Sequence, residues 1–214
     1  MEIFRKNYHL DTKQRAAVIA GTIVIVGIIG WVYEVLFYWM NSGFTTWYWR
    51  GAGFGPWIDI YGLGAVLIMC VAGRFKKSPW KVFAVSGILC GVLEYAAGAV
   101  IFYTQNGRRP WNYNTEILNF GNIHGFICLR SVLFFAAGGL LVIYVIVPLM
   151  SYMTERFGSG FQVLWFVLLA LFCADYIYNY IFATLIGPLP SAAQLYDRYL
   201  HFNFVKFTNG LLDG

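Results

Sequence analysis

From Ala16 to Tyr38 the chain reads AAVIAGTIVIVGIIGWVYEVLFY, with Glu34 its one charged residue. About twenty apolar residues suffice for a helix to cross a bilayer. The run therefore sets the class: an all-α, polytopic membrane protein. A carboxylate in such a span costs about 2.5–3.5 kcal/mol on insertion scales, so it faces a partner or a wet cavity. Residues Met1 to Arg15 are charged and carry neither an apolar core nor a small-residue cleavage site. The run thus reads as a retained span and not as a signal peptide.

Further apolar stretches lie at about 57–73 and 80–103, the first closed by Gly73-Arg74-Phe75-Lys76-Lys77. Residues 117–150 are apolar but interrupted by Asn119, Gly121, Asn122, His124, Gly125 and Arg130. As one helix they would reach about 50 Å at 1.5 Å per residue, against a hydrocarbon core of about 30 Å. The pattern predicts a short broken or re-entrant segment at 117–127 and a span at about 128–148. A last span covers about 161–187 and closes on Gly187-Pro188. The expectation is one transmembrane domain over 1–214 with five spans, or six if 117–127 or the tail adds a membrane segment. The tail, 188–214, mixes aromatics (Tyr196, Tyr199, Phe202, Phe204, Phe207) with polar residues. It reads equally as an interfacial segment or an ordered terminal loop.

Five spans put the chain ends on opposite sides. The N-terminal arm and the loops at 74–81 and 149–160 hold nine cations, against five in the remaining loops and tail. Positive-inside bias then makes the N-terminus cytoplasmic, in the inner cell membrane. That bias and anionic lipid account for the net charge of +5, so no nucleic-acid partner is implied. Only 12% of the residues are charged, about half the share of a soluble domain. No G-x-x-x-x-G-K-[ST] loop is present, so nucleotide hydrolysis by a P-loop would need a separate ATPase. Cys70, Cys90, Cys128 and Cys173 stand singly in apolar runs and read as buried small hydrophobes, with no metal site, disulfide framework or cofactor expected.

The chain divides into halves at about 16–73 and 80–148. The first reads Gly30-Trp31, Glu34, a loop with Arg50, then Tyr61-Gly62 entering the next span; the second reads Gly91, Glu94, a loop with Arg108-Arg109 and Trp111, then Asn122 and Gly125. This is the pattern of a parallel internal repeat, or of Glu, Arg, Gly and Trp recurring near one interface. Trp31, Glu34, Tyr38 and Asn41 share one helical face, as do Gly87, Gly91, Glu94 and Gly98, and as do Asp175, Tyr178 and Asn179. Gly87 and Gly91 permit close helix approach. Arg50, Arg108, Arg109 and Arg130 are the cations available to these acids, and Arg pairs carboxylates in bidentate geometry. Such pairs either tie loops to helices or line a polar cavity open to the outer face. The candidate ligand-binding set is Glu34, Arg50, Tyr61, Glu94, Arg109, Trp111, Asn122, Arg130 and Asp175. Trp47, Tyr48 and Trp49 read as an interfacial belt. His124 has no second His or Cys nearby and reads as hydrogen-bonded and structural.

Two blocks carry a resemblance. Gly30-Trp31…Glu34, Arg50-Gly51, Gly55-Pro56-Trp57 and Ile60-Tyr61-Gly62-Leu63-Gly64-Ala65 form the first. Glu94-Tyr95-x-x-Gly98, Arg109-x-Trp111-x-Tyr113 and Asn122-Ile123-x-Gly125-x-Ile127-Cys128-Leu129 form the second. Over residues 27–148 the chain resembles the putative ABC transporter permease, type IV (CmpB-like) family of small bacterial membrane proteins. Two positions depart from that pattern. Asp59 stands where the family has Pro and adds a polar group, and Asn112 stands where it has Asp and removes a carboxylate beside Arg109. The resemblance implies a membrane-embedded component with partners and names no substrate.

Three functions fit these residues. The first is a transporter component, a permease or substrate-binding membrane subunit for a small polar or anionic ligand. The second is an intramembrane enzyme acting on lipid headgroups or envelope precursors, with acids and arginines doing acid–base work. The third is a scaffold whose charges are purely structural. The first accounts best for the paired halves and the missing motor.

Overall fold

The structure, a computed structural model, describes residues 8–45, 50–187 and 189–199. Helix α1 spans Thr12–Asn41 and opens on a reciprocal cap: Gln14 N donates to Asp11 Oδ1 at 2.8 Å, and Asp11 N to Gln14 Oε1 at 2.9 Å. Two orphan backbone donors are thereby satisfied just before the apolar run begins. Helix α2 covers Asp59–Cys70 and passes into a 3₁₀ turn at Ala72–Phe75. Helix α3, Pro79–Thr104, starts on a proline whose missing N–H would be unpaired there anyway. Helix α4, Leu129–Leu141, continues through a π-helical turn, Val142–Ile146, into α5, Val147–Tyr176. A longer π segment, Ile177–Ile186, and a short helix, α6 at Ala192–Tyr199, follow. Among the described residues there is no strand, only an isolated bridge between Ile123 and Ile127.

Among the described residues three helical stretches are long and apolar enough to cross a membrane: Thr12–Asn41, Pro79–Thr104 and Leu129–Ile186. The last is 58 residues in length, but Gly158 interrupts it with φ 66°, ψ −145°, a conformation no helix contains. Two rods therefore meet there. The break expected across 149–160 is confined to that point, because Ser151, Thr154 and Glu155 sit on helix. The expected membrane segment at 117–127 is a set of turns, with Leu118, Gly121, His124 and Gly125 all at positive φ. In the tail, Tyr196 and Tyr199 lie on α6. Trp47, Tyr48, Trp49, Phe202, Phe204 and Phe207 lie outside the described residues.

Helix α1 packs mainly along α5 and α3 along α4. Small residues set these distances. Trp165 and Met150 press on Gly21, and Val132 of α4 lies against Gly87 and Gly91 of α3. One apolar cluster (Val18, Ile68, Ala72, Val82, Ile146, Met150) joins the helix ends that carry Lys13, Arg15, Arg74 and Lys81. A second (Val24, Trp57, Phe172, Tyr176) lies toward the end that carries the acids. Cys90 and Cys128 are buried as expected, whereas Cys70 and Cys173 are exposed on the helix surface; all four are free thiols.

Candidate functional site

Three glutamates come together where α1, α3 and the 105–128 loop meet. Glu34, on α1, accepts from Arg50 Nε at 2.9 Å and from the Tyr61 hydroxyl, on α2, at 3.3 Å. Tyr61 can reach it because Gly30 has no Cβ: one built there would fall 2.3 Å from the Tyr61 ring. The Arg50 guanidinium also lies 3.8 Å from the centre of the Tyr38 ring, and the Trp31 indole donates to the Arg50 carbonyl at 3.0 Å. Burial alone would lower the Arg50 pKa, but Glu34, Tyr38 and Glu116 together outweigh it and raise the value.

The second pair escaped the sequence reading in part. Arg130, at the start of α4, donates through Nη2 to Glu116 at 2.6 Å and through Nη1 to the Ile117 carbonyl at 2.8 Å. Its guanidinium stacks over Phe37 at 3.9 Å. The Tyr38 hydroxyl donates to the other Glu116 oxygen. Glu116 is buried, yet nothing in the local sequence singles it out from a polar loop. Asn41 was readable on the α1 face and accepts from Ile117 N at 2.9 Å, holding that loop against α1.

Glu94 behaves otherwise. An arginine partner was expected; the structure gives it a tyrosine. Tyr113 donates to Glu94 Oε1 at 2.6 Å, while Oε2 has no hydrogen-bond partner among the described residues, although the residue is only 6% exposed. Ser131, on the same wall, donates to the Cys128 carbonyl at 2.9 Å. Burial and then the Glu94 charge push the Tyr113 phenol well above its ordinary value, which keeps it a donor.

These groups surround a narrow cavity with about 30 Å³ of free space, lined by Glu34, Tyr61, Glu94, Trp111, Tyr113, Glu116 and Arg130. That is room for about two waters. It adjoins two larger spaces. A polar vestibule of about 300 Å³ shares Glu34, Ile60 and Trp111 with it and adds Arg50, Asp59, Gln105, Arg108, Asn179 and Tyr180. An apolar chamber of about 380 Å³ shares Tyr33, Ile60, Tyr61, Phe134 and Phe135. Both π segments border these spaces: Val142 and Ile146 line the chamber, and Asn179, Tyr180 and Thr184 line the vestibule. π turns recur at functional sites because they realign side chains by one position.

Five of the nine candidates line this cavity, Arg50 lines the adjoining vestibule, and the other three lie apart. The Asp175 carboxylate accepts from Phe54 N (2.7 Å), Gly55 N (2.8 Å), Trp57 Nε1 (2.8 Å) and Asn179 Nδ2 (2.9 Å). It holds the 53–57 loop to α5. Arg109 donates to the His124 carbonyl at 2.8 Å and stacks on Phe102 and Phe126. Asn122 donates to Asn114 Oδ1 at 2.7 Å and accepts from Gly125 N at 2.9 Å. Both organise the 105–128 loop. His124 meets the Tyr95 hydroxyl at 2.9 Å through Nδ1.

A family model described as "Putative ABC-transporter type IV" matches residues 22–180, a stretch that contains all nine candidates. The chain belongs to that family. The match extends the sequence resemblance at both ends, taking in more of α1 and all of α5. The family description and the apolar helices together make this a membrane protein of a transporter type. No curated protein and no solved structure matches the chain.

Proposed function

We propose that the chain is the membrane-embedded permease or ligand-binding subunit of a bacterial transporter, driven by a separate ATPase. Five spans cross the inner membrane with the N-terminus in the cytoplasm, Gly158 supplying the turn between the last two. The acid-bearing end then faces outward, and the vestibule takes a small polar ligand against Glu34, Arg50 and Trp111. Tyr61, Glu94 and Arg130 form the inner wall. Arg109, Asn122 and Asp175 keep the surrounding loops in place and do not contact the ligand. Each half also sends a tyrosine hydroxyl to its own glutamate, Tyr61 to Glu34 and Tyr113 to Glu94, but only the first half pairs its acid with its loop arginine.

One observation carries the reading: two buried acids, Glu94 and Glu116, and the half-buried Glu34 converge, with two arginine partners among the described residues, on a cavity between a polar vestibule and an apolar chamber. Buried charges are expensive in a membrane and concentrate at ligand paths. The test is ligand-dependent stabilisation of the purified protein in nanodiscs across a panel of small polar metabolites, together with affinity isolation from the native membrane. A rise in Tm with one ligand class, lost in Arg50→Gln, and recovery of an ATPase subunit support the proposal. No stabilising ligand and no ATPase would overturn it.

A further inference from the structure

The cavity and the apolar chamber share a wall, and together they have the shape of an amphiphile. The chamber is lined almost wholly by carbon, and Gly138 leaves space there that a side chain would fill. At Gly138 a Cβ would meet nothing within 4 Å. Its volume of about 380 Å³ lies within the range of about 300–1,000 Å³ usual for small-molecule sites. Ile29 and Val32 of α1 and Leu141 of α4 border it and are themselves exposed, so it opens sideways between these helices. Its far end meets the polar cavity at Tyr33, Tyr61, Phe134 and Phe135.

The polar end is selective by charge. Glu34, Glu94 and Glu116 face Arg50 and Arg130 here, and each arginine is already paired with a glutamate, so three acids stand against two cations although Arg130 Nε itself lacks a hydrogen bond among the described residues. Glu94 is the odd acid: its neighbours are neutral hydroxyls, Tyr113 bonded to Oε1 and Ser131 close by, and Oε2 is buried without a hydrogen bond among the described residues. A buried acceptor left unpaired is costly, more so when it carries charge. A group that donates N–H and brings one positive charge satisfies both needs. With about 30 Å³ free, the head is the size of an ammonium and not of a phosphate ester.

We propose that this site binds a long-chain primary ammonium amphiphile, its N–H₃⁺ donating to Glu94 Oε2 and its alkyl chain lying in the chamber between α1, α2 and α4. The tail enters laterally, past Val32 and Leu141, and reaches the cavity along the Tyr33 and Tyr61 rings. This assignment rests on the reading of the acid-lined space as a ligand site and gives that ligand its chemistry.

The test uses the full chain in phosphatidylcholine nanodiscs with radiolabelled dodecylamine as probe, corrected for uptake by empty discs. Saturable binding is expected, at least tenfold weaker for dodecyltrimethylammonium, which has no N–H, and for dodecanol, which has no charge. Gly138→Leu fills the chamber without touching the acids, and Glu94→Gln removes the charge while keeping the shape; each weakens dodecylamine binding at least tenfold with an unchanged helical circular dichroism spectrum. Equal binding of the trimethyl compound, or full binding in Gly138→Leu, would overturn the proposal. A parallel arm with ethylamine separates the two readings. If ethylamine raises Tm in wild type and Gly138→Leu alike and dodecylamine binds no tighter, the amphiphile falls and the polar site stands. If neither amine binds, the amphiphile falls, and the metabolite panel alone then decides the polar site.

Discussion

Glu116 and Arg130 meet at 2.6 Å across the 105–128 loop, and through Tyr38 the same carboxylate reaches back to α1. One acid thus locks a loop to two helices that are otherwise separate in sequence. Both side chains are largely buried, with 4% and 15% of their surface exposed. Removing one member of such a pair leaves a bare charge and typically costs about 3–5 kcal/mol, whereas removing both costs less. Glu116→Leu is therefore expected to lower Tm in detergent by several degrees, and adding Arg130→Met should restore part of the loss. A thermal unfolding series over the two single variants and the double variant measures the coupling. Additive losses would mean that the pair contributes nothing as a pair.

Gly30 makes room for the Tyr61 ring, whose hydroxyl serves Glu34. In Gly30→Ala the new methyl would lie 2.3 Å from that ring. The ring is held between α1 and α4, so the clash is relieved only by shifting it, at about 1–3 kcal/mol. Tyr61→Leu in the same chain should recover part of the stability but not the hydrogen bond to Glu34. Melting curves for the single and double variants decide it, and no loss in Gly30→Ala would show that the ring is free to move.

Much of this site was legible before the structure. Glu34 and Glu94 stand out because an acid in an apolar run demands an explanation, and the Arg50 loop follows Glu34 at a short interval. Glu116 was not legible, because Thr115-Glu116-Ile117 looks like any polar turn; only closure of the loop onto Tyr38 and Arg130 turns the carboxylate inward. Asp175 was legible as an acid in a span, but its partners were not. Its partners are backbone N–H groups of a glycine-rich loop more than a hundred residues away, which no local pattern announces. The helical break was placed too broadly for a related reason. Ser151 and Thr154 look like loop residues, but both are buried against neighbouring helices, and Ser151 bonds back to the Val147 carbonyl within the helix.

At Gly158 the backbone has φ 66° and ψ −145°, close to a region that only glycine populates freely. Gly158→Ala should cost about 1–3 kcal/mol through backbone strain alone, since a Cβ there meets no atom within 4 Å. Gly160→Ala is the control: its surroundings are equally open and its backbone is not left-handed, so helix propensity should leave it neutral or slightly stabilising. Comparing the two melting temperatures isolates conformation from packing. Equal effects would remove Gly158 as the hinge between the rods.

Asp175 makes a sharper claim about role. Its carboxylate accepts from two backbone N–H groups, the Trp57 indole and the Asn179 amide, and it does not border the acid-lined cavity. Asp175→Asn replaces one acceptor oxygen by an NH₂, which would face a donor in at least one of these bonds. Leaving a buried donor unsatisfied costs about 1–3 kcal/mol, and more where the lost acceptor was charged. The expected outcome is a lower Tm and faster amide exchange at Phe54 and Gly55, because Asp175 is what anchors that loop to α5. Ligand-induced stabilisation, measured as the shift in Tm at saturating ligand, should remain nearly unchanged once the lower baseline is subtracted. Arg50→Gln is expected to behave in the opposite way, keeping more of the loop's protection while losing the ligand response. Hydrogen exchange read by mass spectrometry on both variants separates anchoring from binding. A lost ligand response in Asp175→Asn with intact exchange protection would instead place Asp175 in the binding site.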